Sequence, residues 1–243
     1  MARIEAIGLT LEFPFYHVGS RSLKKRLLGG ARLHTDASNR VVVSALSDMS
    51  FRIGKGERVG LVGPNGAGKT SLLRTLAGVY EPAAGSLLVE GEIGTLIDVS
   101  AGMDAESSGR ENVMLRGLYR GLSEAECTAL AEQVAEFAEL GDFIDMPLRT
   151  YSAGMGVRLS FAMATAMQPE VLLMDEWFLA GDAAFMRRAE QRLTRLVGGA
   201  DILVLATHDM AMVRRWCTRV LRVEGGRIMA DGPPEDVLAG MGL

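Results

Sequence analysis

The sequence lacks several features that would assign it to a special class of protein. Its 243 residues contain only two cysteines, Cys127 and Cys217, which lie far apart and share no metal-ligand spacing. A disulfide framework is therefore not expected, and a reducing compartment suits the chain. The start, Met1–Glu5, has no apolar signal-peptide core. No uninterrupted apolar run approaches the roughly 20 residues that span a bilayer. We expect a cytoplasmic protein that contacts a membrane only through a partner.

The chain also lacks a strong excess of either charge. Its net charge is −4, with 48% apolar and 23% charged residues. This balance is ordinary for a globular protein and gives no global drive toward nucleic acid. The length suits one large domain, or a core with a subdomain. No nucleic-acid partner is expected.

A glycine-rich segment at 63–70 is the strongest motif that the sequence contains. It reads Gly-Pro-Asn-Gly-Ala-Gly-Lys-Thr and lies between an apolar stretch, Arg58–Val62, and a helical stretch, 71–76. This is the phosphate-loop pattern in its strand-to-helix context. Glycines let backbone N–H groups approach phosphate oxygens, and the helix adds its positive end. Lys69 would reach the phosphates and Thr70 would ligate Mg²⁺. The candidate nucleotide-binding residues are Gly63, Pro64, Asn65, Gly66, Ala67, Gly68, Lys69, Thr70 and Ser71.

Two further apolar strands, at 171–174 and 201–205, end in chemically active side chains. Buried strands alternating with helices indicate a largely parallel sheet, whose ligands bind at the carboxyl ends of its strands. Asp175 is predicted to be a second Mg²⁺ ligand. Glu176 is placed to orient or deprotonate a water that attacks the γ-phosphate. His208 would contact that phosphate or the water.

A serine- and glycine-containing segment, Tyr151–Met155, precedes a helix predicted from Gly156 to Ala166. A hydroxyl and a glycine at a helix N-terminus can bind an anion. Taken alone, the pattern is more often simply a capped helix.

The remaining chain suggests a helical insertion between two α/β portions. The core is predicted at 1–98 and 168–243, and the helical subdomain at approximately 99–167, within one nucleotide-binding domain. Ser123 has capping-box spacing to Glu126 and is predicted to open a helix that runs toward Leu140.

Smaller features are open to more than one interpretation. Residues 1–13 alternate loosely and predict a strand, while Val41–Val43 and Phe51–Ile53 are predicted as two strands that pair with each other. The basic stretch 21–28 is interpreted as a solvated helix, with contact to lipid head groups or a membrane partner as the alternative. We interpret the histidines outside the strand ends, His17 and His34, as structural.

The order of these motifs resembles that of ABC-type ATPases over nearly the whole chain. The resemblance implies an α/β phosphate-loop NTPase fold with a mostly parallel core sheet, an antiparallel β portion and an inserted α-helical subdomain. It also implies ATP and Mg²⁺ as ligands, ATP hydrolysis as the activity, and catalytic roles for Glu176 and His208.

The same resemblance gives Tyr151–Met155 a role in a second copy of the chain. In that family a signature motif, usually Leu-Ser-Gly-Gly-Gln, closes on ATP held by the phosphate loop of another subunit. A homodimer is therefore implied, with contacts from Ser152, Ala153, Gly154 and Met155. Position 153 departs from the usual glycine, whereas Gly154 is retained.

Several stretches look like the ATP-binding subunits of bacterial polysaccharide exporters, which move O-antigen, capsule or teichoic-acid chains. These stretches are Phe13–Tyr16 with Arg21–Lys24, Gly109–Val113, Tyr151–Ala164 and Asp175–Asp182. The resemblance implies a separate integral-membrane permease, with the chain peripheral on the cytoplasmic side of the inner membrane. Some relatives carry a C-terminal sugar-binding domain, and none is expected within this chain.

The resemblance assigns further positions one by one. Tyr16 corresponds to the aromatic residue that stacks on adenine, with Phe15 as the alternative. Asp98 falls where most ABC ATPases carry a glutamine that senses Mg²⁺ and the permease. Leu179–Asp182 matches the loop that crosses between subunits, and Ser107–Gly121 would face the permease.

Four rival functions are weighed against export of a lipid-linked polysaccharide. One is a transporter ATPase with the same chemistry and another cargo, such as a lipid or small molecule. A soluble ABC ATPase acting on ribosomes or DNA is disfavoured, because the sequence has no paired ATPase domain, long coiled coil or basic extension. A nucleotide-regulated scaffold is disfavoured by the intact set Lys69, Asp175, Glu176 and His208. A GTPase is disfavoured because no Asn-Lys-x-Asp motif is present.

Overall fold

A computed structural model describes residues 1–14, 41–175 and 182–241, together with the backbone of the short strand Leu33–Thr35. These residues divide into two compact units. The first unit comprises 1–14, 33–35, 41–93, 170–175 and 201–241, and the second comprises 94–169 and 182–200.

The strands and helices follow one another in a mixed α/β order. The strands are β1 (Arg3–Pro14), β2 (Leu33–Thr35), β3 (Val41–Gly54), β4 (Arg58–Val62), β5 (Ala84–Glu90), β6 (Ile93–Leu96), β7 (Val171–Asp175), β8 (Ile202–Ala206), β9 (Arg219–Glu224) and β10 (Arg227–Gly232). The helices of the described residues are α1 (Lys69–Leu76), α2 (Gly109–Tyr119), α3 (Glu124–Ala138), α4 (Ala153–Ala164), α5 (Ala183–Gly199), α6 (Met210–Trp216) and α7 (Pro234–Ala239). Short 3₁₀ turns occupy Gly141–Asp145 and Leu148–Thr150.

An antiparallel sheet in the first unit has the strand order β2-β3-β1-β5. The loose alternation seen in the first residues has a structural cause in β1. Ile4 and Ala6 are buried at even positions, whereas Leu9 and Leu11 are buried at odd positions. The register against β3 shifts between Ala6 and Leu9, and Gly8 at this irregularity has φ 60°. One inserted residue returns the next apolar side chains to the core face.

The prediction that Val41–Val43 and Phe51–Ile53 form two paired strands is wrong. They are the two ends of one strand, β3, and both pair with β1. Asp48 interrupts the alternation between them with φ 52°, a left-handed conformation that Asp tolerates better than most residues. The polar residues in this stretch therefore mark an irregularity within a strand rather than a turn between strands.

The second sheet of the first unit contains the most buried strands of the chain. Its order within this unit is β10-β9-β4-β8-β7, with parallel pairs from β9 through β7 and an antiparallel hairpin between β9 and β10. All five residues of β8 are buried, as are four of the five residues of both β4 and β7. Strands covered on both faces have continuous rather than alternating apolar sequences, which explains their patterns. The predicted α/β class with a mostly parallel core sheet and an antiparallel β portion is confirmed.

Two capping boxes begin consecutive helices of the second unit. Ser123 accepts a hydrogen bond from Glu126 N–H at the start of α3, and the Glu126 carboxylate accepts one from Ser123 N–H in return. Ser108 and Glu111 make the same reciprocal pair at the start of α2. Each box satisfies two backbone donors that a helix leaves unpaired. The predicted start of α3 is confirmed, whereas the cap of α2 was not predicted.

The core of the second unit is formed by α2, α3 and α4, with an aromatic cluster between α3, α4 and α5. The rings of Phe137, Phe161 and Phe185 have centroid separations of 5.7, 5.8 and 6.0 Å. Phe161 and Phe185 are buried. Aromatic pairs at such separations contribute more than their area alone, so this cluster ties the three helices together.

Cys127 and Cys217 are both free thiols and are both buried. Burial raises the pKa of the Cys217 thiol to about 12. A buried thiol of high pKa is a poor nucleophile, so Cys217 acts as a small apolar core residue.

In the described ranges, no helix combines the length and apolar character that crossing a membrane requires.

Replacing Ser123 by Ala should destabilise the second unit, because the first turn of α3 loses its capping oxygen. We expect a loss of about 1 kcal/mol, which corresponds to a fall of roughly 2–4 °C in Tm for a chain of this size. Ser123→Asn, which keeps an acceptor at the cap, is the matched control and should retain most of the stability. Thermal unfolding followed by circular dichroism measures both, and equal Tm values for the two variants would contradict the assigned role.

Candidate nucleotide-binding site

The glycine-rich loop joins the buried strand β4 to helix α1. Strand β4 ends at Val62, and helix α1 begins at Lys69. Between them the backbone adopts φ values of 147° at Gly63, 74° at Gly66 and 109° at Gly68. These values lie in a region that L side chains rarely adopt. The predicted strand, turn and helix are therefore all present around residues 63–70.

Close packing also excludes a side chain at Gly63 and Gly68. A Cβ at position 63 would lie 1.9 Å from the carbonyl oxygen of Val223, and one at position 68 would lie 2.8 Å from that of Ala45. Gly66 has no heavy atom within 4 Å of an added Cβ. The loop is thus tightly seated at its two ends and open at its middle.

The loop is held by a turn from the distant β9–β10 hairpin. Gly226 N–H donates to Ala67 O at 2.7 Å, and Gly226 O accepts from Ser47 N–H at 2.8 Å. Sequence reasoning did not predict this contact. Only the Gly225-Gly226 pair signals it, because glycine allows close backbone approach.

Lys69 keeps its ammonium group at the loop. Its Nζ donates to Gly63 O at 2.7 Å and to Pro64 O at 3.2 Å, and the side chain is only 7% exposed. A buried charge needs such partners. Thr70 and Ser71 follow in the first turn of α1, both half-buried. A cation, two hydroxyl groups and the positive end of a helix therefore share one place, which suits a phosphate group.

Strand register brings Asp175 to the same edge of the sheet. Leu61 of β4 is paired with Ala206 of β8, and Ala206 is paired in turn with Asp175 of β7. Neighbouring strands lie about 4.8 Å apart, so β4 and β7 are separated by about 10 Å. Asp175 is half-buried at the end of its strand. A carboxylate is thus available two strands from the loop.

His208 lies two residues after Ala206, the last residue of β8. Gly63 likewise lies two residues after Leu61, the partner of Ala206 in β4. His208 is exposed and lies between Thr207, whose Oγ1 accepts from Asp209 N–H, and Asp209, which caps α6. The first unit thus presents Lys69, Asp175 and His208 at the carboxyl ends of adjacent parallel strands. The predicted catalytic Glu176 lies outside the described residues.

The signature segment of the second unit forms a helix N-terminus. Ser152 is the N-cap residue of α4, and its Oγ accepts from Met155 N–H at 3.2 Å. The helix begins at Ala153 rather than at the predicted Gly156, because this cap already supplies an acceptor to the first turn. Ser152, Ala153 and Gly154 are exposed. An added Cβ at Gly154 would meet only the Ser152 hydroxyl oxygen, at 4.0 Å.

An ion-pair network follows the signature segment, and sequence reasoning missed it. Arg158 of α4 pairs with Asp182, the N-cap of α5, and with Glu139 at 3.2 Å. Glu139 also pairs with Arg188 at 2.6 Å. The N–H of Phe185 and that of Ala184, together with Arg158, hold the pKa of Asp182 below its usual value. Asp182 caps α5, and its cationic partner Arg158, which lies 24 residues away in sequence, had no sequence signal.

The remaining predicted site residues lie in the second unit or outside the described residues. Asp98 lies in the second unit, where it is exposed and its Oδ1 accepts from the Ser100 hydroxyl at 3.0 Å. Tyr16 and its alternative, Phe15, fall outside the described residues, as does Leu179–Gly181 of the subunit-crossing loop.

The fold and the loop define a phosphate-loop nucleotide-binding protein. Comparison with known sequences narrows the class, since the profile of the family described as "ABC transporter" matches residues 46–179. The chain therefore belongs to the ABC transporter family, whose ATP-binding subunits bind ATP, generally with Mg²⁺, and hydrolyse it.

Curated relatives match over most of the chain. The O-antigen export system ATP-binding protein RfbE of Yersinia enterocolitica is 44% identical over 224 residues, covering 91% of this chain and 94% of that protein. The RfbB protein of Klebsiella pneumoniae, of the same description, is 34% identical and covers 95% and 93%. The teichoic acids export ATP-binding protein TagH of Lactococcus lactis is also 34% identical, and the match covers 97% of this chain but 50% of TagH.

Solved structures support the same fold. An ATP-binding subunit of an ABC transporter superposes with a TM-score of 0.71 at 22% identity, covering 99% of this chain and 93% of the other. A dimeric ATP-binding cassette in a post-hydrolysis state, bound to ADP and phosphate, gives 0.68 at 21% identity and covers 95% and 98%. The predicted ABC ATPase fold is confirmed.

Replacing Gly63 by Ala should disrupt the loop, since the new methyl group would collide with a backbone oxygen that cannot move independently. We expect a loss of roughly 2–4 kcal/mol in stability, together with loss of nucleotide binding. Gly66→Ala is the control at a similarly left-handed but open position and should cost about 1 kcal/mol. Thermal unfolding and titration with a fluorescent ATP analogue distinguish them. A Gly63→Ala variant as stable as Gly66→Ala would show that the close approach to Val223 is not a constraint.

Proposed function

We propose that the chain is the ATP-hydrolysing subunit of an exporter for lipid-linked polysaccharide, acting as a homodimer on a separate permease. The observation that carries the ATPase part is the alignment of loop 63–70, Asp175 and His208 at one edge of a parallel sheet. The chain would lie peripherally on the cytoplasmic side of the inner membrane and contact that membrane only through the permease.

The loop residues fit a triphosphate. The glycine backbone at 63 and 68 is packed so closely that no side chain could project there. Loop N–H groups and the start of α1 can therefore meet phosphate oxygens directly. Lys69 would exchange carbonyl partners for phosphate oxygens, a stronger charge-assisted bond. Pro64, Asn65, Gly66 and Ala67 complete the cradle, and Tyr16 would stack on adenine.

The half-buried hydroxyl of Thr70 and the carboxylate of Asp175 are oxygen donors, the type that Mg²⁺ prefers. They would hold the ion, with Asp98 as a further candidate ligand. When bound, Mg²⁺ neutralises negative charge on the phosphates. Glu176 would accept a proton from the attacking water, whose oxygen bonds to the γ-phosphorus as the bond to the β–γ bridging oxygen breaks. His208 would donate a hydrogen bond to a γ-phosphate oxygen.

A second copy would complete each site. Loop 63–70 and the segment Ser152–Met155 each occur once and belong to different units of the chain. The exposed N-terminus of α4, with its small residues Ser152, Ala153 and Gly154, is open to a phosphate group from outside the unit. ATP held by one copy would thus be sealed by the α4 terminus of its partner, and hydrolysis would separate the copies.

The names of the relatives support the cargo. O-antigen and teichoic acids are both polysaccharide-type polymers, and the matched proteins are described as the ATP-binding proteins of their export systems. These names support export of a polysaccharide as the activity of this chain, and we infer that the cargo is lipid-linked and crosses the membrane through a permease.

Replacing Glu176 by Gln should leave ATP binding intact but lower the ATPase rate by at least about 100-fold, because the general base is lost. In the presence of ATP the dimer of this variant should then accumulate, and size-exclusion chromatography with light scattering detects it. Glu136→Gln, an exposed residue on α3 with the same change in charge, is the control. An unchanged phosphate-release rate in Glu176→Gln would remove this residue from the mechanism.

The Glu176→Gln variant also allows a test of whether the N-terminus of α4 closes the ATP site of the second copy. Gly154→Leu should abolish the ATP-dependent dimer of the Glu176→Gln variant, because the added side chain occupies the surface offered to phosphate. It should not unfold the monomer, since the space around position 154 is open. Gly156→Leu, also in open space on α4, should still dimerise. Dimerisation of both variants alike would contradict the assigned contact.

The cargo is tested in the source cell by replacing the chain with its Glu176→Gln variant. We expect the surface polysaccharide to disappear and its lipid-linked form to accumulate inside, since export would stop before polymer synthesis does. Extraction of surface and total polysaccharide measures this. Normal surface polysaccharide, with a purified variant that does not turn over ATP, would favour another cargo.

A further inference from the structure

The second unit contains a cleft of about 270 Å³ that no residue of the proposed ATP site lines. It is bordered by α3, α5 and the segment that follows α4. Water occupies roughly 30 Å³ per molecule in the liquid, so the cleft can hold a small organic group. The ring of Phe137 and the side chain of Leu196 contribute apolar surface to it.

Two arginines line this cleft without an internal counter-ion. Arg192 and Arg195 are three residues apart on α5, a spacing that places side chains on the same face of a helix. Among the described residues that line the cleft there is no Asp or Glu. Arg195 donates its Nε to Gln191 O at 3.4 Å, and neither arginine forms an ion pair with a carboxylate of the described residues. Burial and the nearby Arg195 lower the pKa of Arg192, so the structure holds two like charges together at a cost.

Arg192 is held in a fixed position. Its Nε donates to Thr165 O at 3.2 Å, and its guanidinium carbon lies 4.2 Å from the centroid of the Phe137 ring. These contacts fix the plane of the guanidinium group and use only Nε, which leaves the two Nη groups as donors for a ligand. The entropy cost of ordering this side chain has therefore been met before a ligand arrives.

The opposite walls supply amide groups. Gln168 is oriented by hydrogen bonds from its Nε2 to Leu196 O at 3.0 Å and to Pro169 O at 3.3 Å. Gln133 lines the cleft from α3. Guanidinium forks with amides beside an aromatic ring form a polar set suited to an oxyanion attached to an apolar body.

We propose that this cleft binds a phosphate monoester, whose dianionic head pairs with Arg192 and Arg195 while its organic body contacts Phe137. Two guanidinium charges balance one phosphate dianion, and a planar fork matches two phosphate oxygens. The site is separate from loop 63–70 and does not depend on the proposed transport function.

Phenyl phosphate is a suitable probe, because it combines the dianion with an apolar ring. The full chain is first saturated with ADP and Mg²⁺ to occupy loop 63–70, and phenyl phosphate is then titrated by calorimetry. We expect binding to the parent chain and a loss of at least about tenfold in affinity for Arg195→Gln, since a charge-assisted bond disappears. Arg187→Gln, an exposed arginine of the same helix that does not line the cleft, should bind like the parent.

A second measurement identifies the source of the phosphate and keeps the test independent of folding. Flotation with vesicles containing phosphatidic acid should be lost in Arg195→Gln and kept in Arg187→Gln if a lipid head group is the ligand. If only the soluble ester binds, the ligand is a free metabolite, and the site stands. The proposal is overturned if the parent binds neither probe at millimolar concentration. It is also overturned if an Arg195→Gln variant with the parent's Tm binds as tightly as the parent.

Discussion

Hydrogen bonds between β4, β8 and β7 align Leu61, Ala206 and Asp175 side by side. Because these strands are parallel, their carboxyl ends reach the same edge of the sheet. Asp175 is the last residue of β7, and the phosphate loop and His208 come directly after β4 and β8. The backbone of the sheet therefore places these polar groups at one edge, and no long side chain is needed to bridge the strands. A shift of one residue in this register would turn Asp175 to the opposite face of the sheet. The buried apolar residues of the strands fix that register, and the site depends on it.

Glycine serves opposite purposes at the two halves of the proposed ATP site. At position 63 the chain itself leaves no room, since the Val223 carbonyl occupies the space of a side chain. At position 154 the surroundings within the unit are open, and nothing in the fold demands a glycine. A small residue without an internal reason is consistent with a surface kept clear for another molecule. This contrast supports closure by a second copy.

The sequence alone predicted the buried strands and the loop because their signals are local. Val171–Met174 and residues 201–205 are continuous apolar runs, and the motif at 63–70 carries its own chemistry. The Ser123 cap was found for the same reason, since its partner Glu126 is three residues away. The continuity of β3 was missed, because an aspartate between two apolar stretches is typical of a turn. The structure shows that Asp48 has a positive φ within the strand.

Contacts between distant residues were beyond such reasoning. Arg158 pairs with Asp182 and Glu139 across helices, and no spacing rule relates these positions. The cleft at Arg192 and Arg195 likewise arises from three separate segments, and a pair of arginines on a helix reads in sequence as an ordinary solvated face. Tertiary packing, not local propensity, creates both features.

The seating of the loop on the β9–β10 turn has a consequence for how the protein is made. Val223 and Gly226, which border the loop, are synthesised after it, some 160 residues further along the chain. A growing chain on the ribosome can form α1, but the contacts around Gly63 and Gly68 cannot all form until the β9–β10 hairpin emerges. The packing around Gly63 and Ala67 is therefore complete only after the β9–β10 hairpin has been synthesised.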